Sequence, residues 1–417
     1  MAELRKARMA NLCEITSSKR IFAADYVSEG VPFYRGKEIT EKYKGNLDVS
    51  TELFITEEKF SEIERKFGAP RKGDLLLTSV GTLGSPYVVK PGERFYFKDG
   101  NLTWFRYFQE LDSKFLYYWL VSPQGKAELQ KCTIGSSQSA FTIVLLKGME
   151  IELPPLPIQR RIAGILSAYD ELIENNQRRI RILEDMARSL YREWFVHFRY
   201  PGHENDALVE SSLGPIPRGW TARTIEHLVE QVKTTVDPTT IDPSSPAVGL
   251  EHIPRRQLTL SSWGVAGDVV SRKSVFKEGD LLFGKIRPYF HKVSVAPLDG
   301  ICSTDVIVLR AIEQHWGMAV LTTFSDDFVA NATQTSNGTK MPRADWKVIK
   351  DFPVAVPPTE VAQRFTALSH DALGTAQRLM LQGRRLAAVR DLLLPKLVTG
   401  RIDVSDLDLE GLLGSLT

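Results

Sequence analysis

Between residues 158 and 197, Ile158, Ile162, Ile165, Tyr169, Leu172, Asn176, Ile180, Leu183, Met186, Leu190 and Trp194 follow one another at steps of three or four, with no proline among them. That spacing predicts one long amphipathic helix. About forty residues at ~1.5 Å each make a rod of roughly 60 Å, too long to bury its stripe on one small domain. The pattern returns in Val361, Phe365, Leu368, Ala372, Ala376, Leu379, Leu386, Val389 and Leu393. Leu379, Leu386 and Leu393 fall seven apart, the coiled-coil period. Pro395 removes an amide donor and is expected to end or kink this second helix.

The rest of the chain reads differently. Leu75–Thr78, Tyr87–Val89 and Arg94–Phe97 are short apolar runs set between Gly, Pro and Asp, as strands are. A helix is expected over Lys114–Gln130, where Phe115, Leu116, Trp119 and Leu120 recur at helical spacing. The polar stretch Tyr200–Ser212 reads as a linker, and Gly214-Pro215-Ile216-Pro217-Arg218-Gly219-Trp220 opens a second strand-rich region.

These pieces form a repeat. Lys72-Gly73-Asp74-Leu75-Leu76-Leu77 recurs as Glu278-Gly279-Asp280-Leu281-Leu282-Phe283, a shift of 206 positions. Leu153-Pro154-Pro155-Leu156-Pro157 with Gln159-Arg160 recurs as Val356-Pro357-Pro358 with Gln363-Arg364, a shift of 204. A period near 200 is too long for a solenoid and indicates a duplicated domain-plus-helix unit. The expected fold is α+β, with two strand-rich mixed domains joined by two long antiparallel helices in a coiled coil. The expected divisions are a first domain over 1–152, a long helix over 153–200 and a linker over 201–213. A second domain over 214–356, a second long helix over 357–404 and a tail over 405–417 complete the chain. The expected helix contacts are Ile162, Ile165, Tyr169, Leu172, Ile180 and Leu183 on one rod and Phe365, Leu368, Leu379, Leu386 and Leu393 on the other. Asn176 falls on the first seam, either as a tolerated polar position or as a register-setting residue.

Composition narrows the classes. The chain has 417 residues, 43% hydrophobic and 25% charged, with net charge +2, so any basic surface must be local. Cys13, Cys132 and Cys302 form neither a disulfide framework nor a metal knuckle, which points to a reducing cytoplasm. No apolar run is long enough for a membrane span, and Met1–Lys6 lacks the apolar core of a signal peptide.

Catalytic signatures are missing. There is no Asn-Pro-Pro-aromatic or Asp-Pro-Pro-Tyr motif to hold a target amine, no strand-following GxGxxG and no HExxH. Gly279–Lys285 fits GxxxxGK, but Ile286 stands where the magnesium hydroxyl belongs and Pro288 where the phosphate-binding helix should start. No catalytic residue, metal site or cofactor is therefore expected in this chain.

Polar loops remain. Thr78–Gly84, with Ser79 and Thr82, follows the first Gly-Asp strand; its counterpart carries Lys285, Arg287, Tyr289 and His291. A second pair precedes the proline steps: Ser136, Ser137 and Gln138 in one copy, Ser336, Asn337 and Lys340 in the other. Arg and Lys suit guanine and phosphate, and Gln and Asn suit adenine. Two readings stay open: plain polar turns, or loops that touch double-stranded DNA.

The sequence resembles the specificity (S, HsdS) subunits of type I restriction-modification systems. The Leu153–Gln159 step into the first long helix carries the resemblance, with Arg192-Glu193-Trp194-Phe195 near that helix's end, Gly214–Trp220, and Leu393–Val404. One departure is Pro358-Thr359-Glu360-Val361-Ala362-Gln363, which lacks the second Leu-Pro of the first copy. The resemblance implies two target-recognition domains, each reading half of a split asymmetric site, with the helices as the ruler between them. It implies two methyltransferase subunits as partners and allows restriction subunits. S-adenosylmethionine, ATP and magnesium would then belong to those partners. A coiled-coil scaffold without sequence-specific DNA binding is the alternative reading.

Overall fold

The computed structural model describes residues 4–46, 49–135, 139–338 and 340–405. The chain divides into two compact units, Met1–Glu174 with Leu386–Thr417, and Asn175–Arg385. Both divisions fall inside long helices, which span Leu156–Tyr191 and Thr359–Val398.

In the first unit a four-stranded antiparallel sheet runs in the order Glu14–Thr16, Leu102–Arg106, Leu75–Thr78, Pro86–Val88. The second unit repeats it as Val229–Gln231, Val306–Ala311, Leu281–Gly284, Val293–Val295. The duplicated Gly-Asp is the turn that feeds the central strand of each. Gly73 and Gly279 have φ +89° and +84°, a left-handed conformation that glycine adopts without steric cost. Their amides donate to Val89 and Ala296, whose own amides return to Asp74 and Asp280. The aspartate side chains then brace the sheet: Asp74 accepts from Trp104 Nε1 at 2.9 Å, and Asp280 accepts both arms of Arg310 at 2.7 and 2.8 Å. The Walker-like string Gly279–Lys285 is thus a turn and a fully buried strand.

Each unit is closed by a second matching device. Arg5–Arg8 pairs with Glu150–Leu153, and Thr221–Thr224 pairs with Pro353–Val356, both antiparallel. The strand before each proline step therefore holds a strand from near the start of its own globular half. Beyond this frame the units differ. A three-stranded sheet centred on Val31–Tyr34 occupies the first, and a five-stranded sheet from Thr235 to Cys302 occupies the second.

The helix expected over Lys114–Gln130 is two helices, Ser113–Val121 and Pro123–Lys131. Pro123 cannot donate in mid-helix, and the Ser122 hydroxyl accepts the Gly125 amide at 3.2 Å, which starts a new helix. Tyr200–Ser212, expected as a linker, contains the strand Leu208–Val209, and Tyr200 packs on Trp220 at 5.3 Å between ring centroids. The second long helix passes through Pro395 and stops at Val398. Leu394, Leu397 and Val398 hold its last turn in the first-unit core. Gly400, at φ +68°, ends it, with the Arg401 amide reaching back to the Lys396 carbonyl.

Helix packing is distinct in the two units. In the first, Ile162, Ala163 and Leu166 share a core with Leu394 and Leu397, and Asp170 pairs with Arg390 at 2.5 Å. In the second, Asn176 Nδ2 lies 3.5 Å from the Leu379 carbonyl and 3.3 Å from Gln382 Oε1, and Trp194 and Phe195 pack on Phe365. Within each unit the partners fall in reverse order along the two helices, as in antiparallel segments. Ile165, Tyr169, Leu172, Ile180, Leu183, Leu386 and Leu393 are half-buried. Leu368 is 44% exposed and Met186 59%, so neither is a seam position. Leu373, Met380 and the carboxylate-bearing Glu184 are buried in their stead.

Candidate nucleic-acid interface

The two loops expected in each copy meet in space. In the first unit the hairpin that follows Leu75–Thr78 receives Phe141, whose amide donates to the Ser79 carbonyl at 3.0 Å, and Val80 bridges Ala140. In the second unit the Arg287 amide donates to Pro342 at 2.8 Å and the Ala344 amide to Lys285 at 3.0 Å. Asn337 and Arg343 exchange both main-chain hydrogen bonds, at 3.0 and 2.9 Å. In both units the loop leaving the central strand is therefore joined to the segment before the proline step. Ser136, Ser137 and Gln138 lie outside the described residues.

Two of the expected contact residues are buried. Ser79 is 3% exposed, and its hydroxyl pairs with Thr103 at 2.6 Å, so it braces the sheet. His291 is 2% exposed, with Nε2 donating to the Phe324 carbonyl at 2.8 Å. Burial lowers its pKa, which keeps the ring neutral, and its Nδ1 has no hydrogen-bond partner. Thr82 is exposed on its hairpin, between Gly81 and Gly84 at φ +81° and +79°. Beside that hairpin, whose Ser79 amide donates to Asn101, lies a groove of about 530 Å³ lined by Arg20, Phe22, Tyr26, Lys98 and Asn101.

The second unit is the more basic. Lys285 donates to the Thr304 carbonyl at 2.6 Å, and Ser336 turns back to Ala332 at 2.5 Å, so both are partly spent inside the fold. Asn337, Lys340 and Tyr289 are exposed, Tyr289 by 51%. Arg287 is half-buried in a left-handed conformation, φ +51°. The sequence reading did not single out Arg255, Arg256 or Arg343. Arg255 stacks on Phe290 with its guanidinium carbon 3.9 Å from the ring centroid, and Arg256 pairs with Asp326 at 2.9 Å. The two arginines precede the Lys285–Lys292 loop by about thirty residues and carry no motif of their own; only the fold brings the Arg256 amide to the His291 carbonyl, at 2.9 Å. Among the described residues no group of three His, Cys, Asp or Glu side chains could hold a metal ion, and no helix is long and apolar enough to cross a membrane.

Known proteins match this chain along its length. Residues 2–185 match the family described as the type I restriction modification DNA specificity domain. The type I restriction enzyme MjaIX specificity subunit of Methanocaldococcus jannaschii is 24% identical over 354 residues, 81% of this chain and 79% of that protein. The type I restriction enzyme EcoDI specificity subunit of Escherichia coli is 24% identical over 278 residues, 60% of each. The fold is similar to the crystal structure of a type I restriction-modification system S subunit from M. genitalium, with TM-score 0.61 and 14% identity over 95% of this chain and 96% of that one. Residues 2–185 thus match the specificity-domain family, and over most of its length the chain is similar to type I restriction-modification specificity subunits.

Proposed function

We propose that this chain is the DNA-reading subunit of a type I restriction-modification complex, with one half of a split, asymmetric target read by each unit. The observation that carries this reading is the loop junction repeated in both units: Ser79 with Phe141, and Arg287 with Pro342, on sheets of the same order. The frame is duplicated while the side chains on the junction differ, which suits two equivalent partners and two unlike half-sites. Phosphate contacts position each unit and base-edge contacts specify. The long helices act as an antiparallel coiled-coil ruler that sets the spacer. Two methyltransferase subunits dock on the assembly and bring S-adenosylmethionine; restriction subunits bring ATP and magnesium. The chain itself performs no catalysis.

The test lengthens the ruler. One helical turn is inserted in each long helix where they meet, after Asn176 and after Leu379, and the complex's methylation motif is read from modified DNA. The expected motif keeps both half-sites and gains spacer. An unchanged spacer with normal assembly overturns the ruler, and binding without any sequence preference favours a scaffold over a reader.

A further inference from the structure

Among the described residues six arginines lie over aromatic rings, and four of them spend donors inside the fold. Arg94 over Phe60 is bidentate to Glu57; Arg106 over Trp104 bonds Glu14 and the Phe67 carbonyl. Arg188 over Phe324 pairs with Asp185, and Arg384 over Trp263 donates to the Ser261 carbonyl. The other two share one ring: Arg255 lies 3.9 Å and Arg287 5.9 Å from the Phe290 centroid. Neither guanidinium has a hydrogen bond or ion pair with another described residue. The neighbouring Arg256, by contrast, is neutralised by Asp326.

The backbone holds this site under strain. Arg256, Arg287 and His291 are three of only six described non-glycine residues with positive φ, at +55°, +51° and +52°. Arg287 and His291 bracket the short turn Pro288–Phe290, and the Arg256 amide is tied to the His291 carbonyl. Conformations of this kind persist only where surrounding structure enforces them, and they gather at functional sites. The strap leading away from Arg255 is fixed at Thr259, whose amide and hydroxyl both donate to buried Glu184 at 2.8 and 2.6 Å. A guanidinium lying on a ring has already lost much of its rotamer freedom and keeps its planar fork of donors. That fork matches guanine O6 and N7.

Resting on the function proposed above, we propose that Arg255, held over Phe290 beside Arg287, reads a guanine in the half-site contacted by the second unit. Arg287 shares the ring and supports the same base pair or its neighbour. Lysine keeps the charge but lacks the planar fork, so it weakens base reading more than phosphate binding.

The experiment uses the chain assembled with its methyltransferase subunits and a pool of randomised duplexes. The wild-type complex first defines the motif. Arg255→Lys is expected to lower discrimination at one G·C position by roughly tenfold to a hundredfold, leaving the remaining positions and the other half-site unchanged. Phe290→Leu keeps both arginines and should relax the same position less. A motif left intact by Arg255→Lys overturns the assignment. So does a uniform loss of affinity in Arg255→Ala with an unchanged motif and a salt slope lower by about one, which marks a phosphate contact. A wild-type complex without any preferred motif overturns the DNA-reading function itself, and this proposal with it.

Discussion

Thr366 donates its hydroxyl to the main-chain carbonyl of Gln314 at 3.0 Å, and accepts the Gly317 amide at 3.2 Å. The corresponding carbonyl in the first unit is that of Glu110, which accepts Gln159 Nε2 at 2.9 Å. Gln159 also donates to Pro154 at 2.9 Å and accepts the Asp112 amide at 2.8 Å. The sequence partner of Gln159 is Gln363, which is exposed. The same docking of long helix on globular half is thus made by a residue one turn later in the second copy. Gln159→Ala leaves three main-chain groups unpaired beside a side chain that was 1% exposed. It should destabilise the first unit by about 2–4 kcal/mol, whereas Gln363→Ala should stay within about 0.5 kcal/mol. Thermal unfolding of the two variants against wild type checks the contrast; equal effects refute it.

Glu184 supplies a pH signature. Its carboxylate is buried under Leu258 and Thr259, and desolvation raises its pKa despite two hydrogen bonds from Thr259. A raised folded-state pKa means that the folded chain binds the proton more tightly than the unfolded one. Stability from this residue is present at low pH and declines as pH rises through the folded pKa. Glu184→Gln keeps an acceptor for Thr259 and never ionises. Its stability relative to wild type should grow with pH above the ordinary carboxylate range and level off once wild type is fully ionised. Unfolding midpoints measured from pH 4 to 8 test this; a constant difference contradicts the buried charge.

How much of this could be read from residue order depends on what each interaction needs. The helices were legible because a seam of apolar residues at three- and four-residue steps survives any tertiary detail. The Gly73-Asp74 and Gly279-Asp280 turns were legible as a repeat, although their role as sheet braces needed the partners Trp104 and Arg310. Burial of a polar residue was not legible. Ser79 and His291 sit in loops that look solvated, yet Thr103 and the Phe324 carbonyl consume them. Glu184 reads as one more charge on a helix until Thr259 closes over it. Arg255 could not be found at all, since its partner Phe290 lies 35 positions away on a turn with left-handed ends.

Asp170 anchors the second long helix in the first unit. It accepts from Tyr118 Oη at 2.6 Å and pairs with Arg390 at 2.5 Å, with both ionic side chains less than a third exposed. Burial, and then the adjacent Asp170 charge, push the Tyr118 hydroxyl pKa upward, so the phenol stays a donor. Asp170→Ala strips a partner from both and should cost about 2–4 kcal/mol; Arg390→Ala leaves the tyrosine bond and should cost less. The two changes share one network, so their sum should exceed the double variant's loss by about 0.5–3 kcal/mol. A double-mutant cycle in chemical denaturation gives the coupling directly, and additive costs disprove it.

Lys340 and His291 should separate binding from folding on one loop pair. Lys340 is exposed on the segment that Asn337 and Arg343 clamp, which suits a point-charge contact with phosphate. Under the proposed function, Lys340→Ala weakens binding to all duplexes alike and lowers the slope of log affinity against log salt by about 0.9, the value for one phosphate. The motif is unchanged. His291 lies behind the same loops, its lowered pKa set first by burial and modulated by Arg256, Asp326 and Arg188. A depressed histidine pKa contributes stability above about pH 6.5 and loses it as pH falls through the folded value. His291→Gln retains a donor for Phe324 and should flatten that acid limb without altering the salt slope. Titrating affinity against salt and unfolding against pH for both variants checks the division; a salt-slope change in His291→Gln, or a shifted motif in Lys340→Ala, defeats it.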